Sequence, residues 1–191
     1  RIVQQNIESD IYNSDHVIAH YNARDSLRHN VMLNKLDREY YEKQISYWEK
    51  LIVFYNQFLI TTDGYNLLVE MKDEIPDKYY EINKKIKKLY KRIPSIDEYN
   101  KNFKEIIWGI HDELTYSYWF WVDDYYGEMS KEQIDFYISD PYYKALVQKV
   151  LNASALLNGL AQAHRIEAID IYHDINEILG LAKDVPKHIT Y

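Results

Sequence analysis

No cysteine occurs among the 191 residues, which excludes thiol catalysis, disulfides and cysteine-ligated zinc. The absence suits an oxidising compartment, where a stray thiol is a liability. Glycine is scarce as well: five glycines are too few for the tight turns of an all-β sandwich or for phosphate-cradling loops, and no nucleophile elbow is present. Lys and Arg number 23 against 30 Asp and Glu, a net charge of −7. An acidic surface argues against a nucleic-acid partner, because neutralising phosphates needs a basic face. Long apolar runs are missing too. Leu51–Ile60 and Tyr116–Val122 are the most apolar stretches, and both fall short of the ~20 residues of a spanning helix. The chain starts at Arg1 rather than Met, so a mature or truncated product is expected, whose upstream signal or anchoring helix would leave no trace here.

What is present is a set of helical stripes. Ile7, Ile11, Ile18 and Tyr21 recur at helical spacing and drift to Leu27 and Val31. A break is expected from Asn34 to Asp37. Tyr41, Ile45, Trp48, Ile52, Tyr55 and Leu59 then alternate by four and three, which predicts a second helix as far as the stop at Thr61–Gly64. A short helix to about Glu74 follows, then the stripe Tyr79, Ile82, Ile86, Leu89 and Ile93, ended by Pro94. Ser95 with Glu98, and Ser130 with Gln133, match capping boxes. The first should open the helix carrying Tyr99, Phe103, Ile106, Ile110 and Leu114. Asp140-Pro141 is a helix start, and a single seam from Tyr143 to Ile178 predicts a closing helix of ~39 residues up to Gly180. These stripes predict an all-α, elongated up-down helical bundle of about four main helices plus short accessory ones, folded as one domain over 1–191.

Several residue groups invite a chemical reading. His16 and His20 sit four apart on one helix, a spacing at which neutral imidazoles can share a metal. The adjacent His111-Asp112 is similar to the pair by which HD phosphohydrolases hold divalent metals, and His20 and Asp170 are its candidate partners. Asp170 and His173 imitate half of a di-metal carboxylate motif, without a second copy. The alternative for all six is an ordinary polar helix face. His164 falls on an apolar seam, where a hydrogen-bonded core histidine is expected. Lys84, Lys85, Lys87, Lys88, Lys91 and Arg92 form the basic run, either a solvated face or one that meets an anionic partner. Twenty tyrosines are the most distinctive count. Many fall on seams, and Trp119, Trp121, Tyr125 and Tyr126 are candidates for an aromatic ligand or partner surface.

The order of parts adds one likeness. Asn6-Ile7-Glu8-Ser9-Asp10-Ile11 begins a long helix, Thr61-Thr62-Asp63-Gly64-Tyr65-Asn66-Leu67-Leu68 begins a middle segment ending near Leu89-Tyr90, and Asp140-Pro141-Tyr142-Tyr143 precedes the closing helix. This resembles the helical region that follows the single membrane span in a family of uncharacterised bacterial membrane proteins. The resemblance implies a helical domain outside the cytoplasmic membrane, tethered at its N-terminus. It carries over no catalytic residue. The expected function is a non-enzymatic sensing, scaffolding or protein-interaction domain that needs no cofactor and works through a protein partner or self-association. The alternatives are a metal-dependent hydrolase or di-metal enzyme inside the bundle, and a cytoplasmic adaptor.

Overall fold

A computed structural model describes residues 1–43, 51–71, 74–123 and 129–181. Among them the regular structure is all helical, an all-α bundle in which long helices pack against one another. The elements are α1 (Ile2–Met32), α2 (Arg38–Lys43), α3 (Asp63–Glu70), a 3₁₀ turn at Asp77–Tyr79, α4 (Tyr80–Tyr90), α5 (Ile93–Ser117), α6 (Phe120–Asp123), α7 (Lys131–Ser139) and α8 (Pro141–Leu179).

The helix ends follow from local chemistry. Asn34 has φ 55, and Lys35 N–H reaches the Asn30 carbonyl while Asn34 N–H reaches that of Val31. This left-handed stop terminates α1 at the expected break. Ser130 accepts the Gln133 N–H, half of the expected capping box. The Gln133 side chain turns instead to the Tyr137 hydroxyl, 3.1 Å away. Asp140 accepts the Tyr142 N–H at 2.7 Å and opens α8, which has the expected 39 residues. Gly180, at φ +65, closes it: Leu181 N–H bonds the Asn176 carbonyl and Gly180 N–H that of Glu177, the pairing a left-handed glycine allows.

Two expectations fail. The Ser95–Glu98 capping box is not used, because α5 begins earlier, at Ile93, and Ile96 N–H already bonds the Arg92 carbonyl. Pro94 sits in the first turn, where its missing N–H leaves no gap. The second correction is larger. The predicted helix over Tyr41–Leu59 does not extend over its second half: Tyr41–Lys43 belong to α2, residues 44–50 lie outside the described ones, and residues 51–62 are non-helical. Ile45 and Trp48 lie outside the described residues. Ile52-Val53-Phe54-Tyr55 and Ile60-Thr61-Thr62 are β-branched or aromatic, types that lose side-chain freedom in a helix. Their backbone finds other partners, on α1.

Contacts divide the chain into two compact units: Arg1–Ala19, Gln57–Tyr99 and Leu157–Tyr191 in the first, His20–Asn56 and Asn100–Leu156 in the second. The first has a core of Ile7, Ile11, Ile82, Ile86, Leu89, Tyr90, Ala168, Ile171 and Tyr172. The second is aromatic. Tyr137 lies 5.4 Å from Tyr41 and 4.8 Å from Tyr143, ring centre to ring centre, and Phe136 adjoins Tyr118, Phe120 and Tyr143. The tyrosine excess is thus partly core material, as the seam positions suggested.

Candidate functional site

α1 carries a row of polar side chains that bond to the backbone of the non-helical run and of the first turn of α3. In the first unit, Asp10 Oδ1 accepts the Thr61 N–H at 2.7 Å, Asn6 Oδ1 accepts the Gly64 N–H, and Asn13 Nδ2 donates to the Leu59 carbonyl at 3.2 Å. In the second, the Tyr21 hydroxyl donates to the Asn56 carbonyl and accepts the Asn56 N–H, while Arg28 Nε donates to the Leu51 carbonyl at 2.9 Å. Asp10 and Arg28 are both fully buried. Buried backbone groups need partners, and these side chains supply what a helix would have supplied internally.

Asp10 is the centre of the first unit's polar interior. Its Oδ2 accepts the Tyr90 hydroxyl at 2.9 Å, and Tyr90 stacks on Tyr65 with centroids 4.8 Å apart. His164 Nε2 stands 3.7 Å from the same oxygen, outside hydrogen-bond reach. His164 is buried as expected, but neither ring nitrogen has a hydrogen-bond partner, contrary to expectation; its ring meets Phe58 edge-on. Burial, reinforced by the Asp10 charge, raises the Tyr90 phenol well above its ordinary value. In the second unit, Asp25 accepts Arg28 and the Ser154 hydroxyl, each at 2.7 Å, and burial lowers the Arg28 pKa. The Asp10 cluster thus brings a carboxylate, a phenol and an imidazole together, and its carboxylate holds the Thr61 backbone in place.

The metal candidates are scattered. His16 is exposed on α1, and His20 is half-buried with its ring 5.2 Å from Tyr21. Asp15, beside His16, pairs with Arg165. His111 is half-buried against Trp108, and its Nδ1 lies 3.7 Å from Asp112 Oδ1; Asp112 is exposed. Asp170 is exposed and His173 half-buried on α8, while the neighbouring Asp174 and Glu167 pair with Lys85 of α4 and with Arg92, between α4 and α5. Part of the basic run therefore faces acids of its own chain. Among the described residues, no group of three or more His, Asp or Glu is placed to hold a metal ion.

The aromatic candidates divide. Trp121 is buried and Trp119 is 63% exposed; Tyr125 and Tyr126 lie outside the described residues. Two residues that the sequence reading passed over join Trp119 at the surface: Trp108, 53% exposed, and Tyr116, 89% exposed. Asp10 and Arg28 were also passed over, and Tyr21 was read only as a member of the apolar stripe. Their signal was available: 7, 14, 21 and 28, with 10 and 17, keep heptad register with Ile7 and Val31, so polar residues there must be buried. Comparison with protein-family models, with curated proteins and with solved structures finds no match.

Proposed function

We propose that the chain is a non-enzymatic helical sensing, scaffolding or protein-interaction domain. Its contact surface is the aromatic face of α5 and the turn that follows, and its partner is another protein or a second copy. The observation that carries this reading is the exposure of Trp108, Tyr116 and Trp119, each more than half open to solvent. Large aromatic rings dominate the binding energy of protein interfaces, and surface patches of them mark contact sites. The engagement of Asp10, Tyr21 and Arg28 with backbone also supports a framework role over a reactive one. On the resemblance noted above, the domain stands outside the cytoplasmic membrane, tethered through its N-terminal side.

A photo-crosslinking residue at position 108 or 119, in the full chain within its own cells, tests the surface. Expected are adducts with a protein or a second copy, absent when the probe sits at the exposed Lys85 of α4, outside α5. Equal labelling at all three positions contradicts the proposal. Protease protection of the chain in intact cells, with cleavage only after lysis, contradicts the location.

A further inference from the structure

Helix α4 spends its apolar side on folding: Ile82, Ile86, Leu89 and Tyr90 belong to the core of the first unit. On the opposite side, at about 100° per residue, stand Lys84, Lys87, Lys88 and Lys91, all exposed. Lys91 keeps the helical turn, its N–H bonding the Lys87 carbonyl. The chain answers the neighbouring cations itself. Lys85 pairs with Asp174, with Asp170 and Glu81 beside it, and Arg92 pairs with Glu167. Among the described residues the four lysines pair with no acid, in a chain of net charge −7. Lys84 with Lys88, and Lys87 with Lys91, are like charges four apart, a spacing that weakens a helix. Tyr80, 65% exposed, lies on the same side, one turn before Lys84. We propose that this face docks on an anionic lipid bilayer, with the four lysines and the Tyr80 ring at the level of the headgroups. Its chemistry favours lipid over an acidic protein. Lysine is a point charge on a flexible stem, suited to a diffuse anionic surface, whereas shaped pairing with carboxylates favours the fork of arginine, absent from these four positions. Tyrosine rings concentrate at bilayer interfaces. Because α4 has no apolar side to insert, the attraction is electrostatic, confined to this face and screened by salt.

The face uses no residue of the α5 aromatic surface, so the two proposals stand or fall separately. Co-sedimentation of the full chain with vesicles of phosphatidylserine and phosphatidylcholine, and of phosphatidylcholine alone, tests it. Expected are binding to the serine-containing vesicles at about 0.1 M salt, its loss at about 0.5 M, and none to phosphatidylcholine alone. Each lysine removed should weaken binding about fivefold, so K84Q/K87Q/K88Q/K91Q should abolish it. K35Q/K104Q/K131Q/K149Q, at exposed positions elsewhere, makes the same change in net charge and should weaken binding less than about fivefold in total. Tyr80→Ala should weaken vesicle binding at least about twofold and leave any binding of polyglutamate unchanged. No binding to the anionic vesicles, equal losses in the two fourfold variants or undiminished binding by Tyr80→Ala would overturn the proposal. So would capture of polyglutamate in preference to the vesicles, which would assign the face to an acidic protein.

Discussion

His164 and Asp10 stand 3.7 Å apart, Nε2 to Oδ2, with neither side chain open to solvent. The carboxylate is satisfied by Thr61 and Tyr90; the imidazole is satisfied by nothing. Removing a buried polar group without partners costs little, whereas stranding partners is expensive. His164→Leu is therefore expected to be neutral or to stabilise by up to about 1 kcal/mol. Asp10→Ala strands the Thr61 N–H and the Tyr90 hydroxyl and is expected to destabilise by about 3–5 kcal/mol. Urea midpoints at unchanged m-value measure both. Destabilisation of His164→Leu by more than about 2 kcal/mol would mean a charged imidazole paired with Asp10.

Tyr90 makes stability depend on alkaline pH. Burial first, and then Asp10, raise its pKa above the unfolded value of 10.0, so the native state holds the phenolic proton more tightly. The resulting stability is complete below about pH 10 and fades as the pH climbs towards the folded-state value. Tyr90→Phe is expected to cost about 1.5–3 kcal/mol at neutral pH through the lost hydrogen bond to a charged acceptor. By about pH 11.5 the gap to the parent should narrow, because only the parent carries this linkage. Urea unfolding at the two pH values gives the comparison, and a constant gap contradicts it.

Three glycines divide by what surrounds them. A Cβ at Gly64 would lie 2.7 Å from Asn6 Oδ1 and 2.8 Å from Val3 Cα, so Gly64→Ala must push helix α1 away and is expected to cost about 2 kcal/mol or more. Gly109 and Gly159, inside α5 and α8, meet nothing within 4 Å. Alanine at either should stabilise by about 0.5–1 kcal/mol, since it removes backbone freedom from the unfolded chain. Thermal unfolding of the three variants reads the opposite signs directly.

What the sequence disclosed depended on whether local chemistry decided the outcome. Asn34, Ser130, Asp140 and Gly180 set helix ends through bonds within a few residues, and all four were legible. The stripe from Tyr41 to Leu59 misled: Ile52 is indeed buried, but Leu59 is 57% exposed and the buried neighbours Leu51 and Phe58 lie off the stripe, in a non-helical run whose bonding partners lie on α1, distant in sequence. The same cause hid the polar interior. The heptad register places Asp10 and Arg28 on the buried side of α1, but the carbonyls and N–H groups that they meet there are not readable from it. At the surface, the aromatic run of 119–121 drew attention, whereas Trp108 and Tyr116 read as members of a helix whose buried side was already filled by Phe103, Ile110 and Leu114.

The fastening of the non-helical run and the start of α3 by α1 is tested most directly by amide hydrogen exchange at Asn56, Thr61 and Gly64, followed by NMR. The N–H groups of these residues bond to Tyr21, Asp10 and Asn6 respectively. Protection close to that of the α4 core amides is expected at all three, with Thr61 losing it in Asp10→Ala under conditions where the variant remains folded. Exchange at the rate of open loop amides in the parent chain would contradict the fastening.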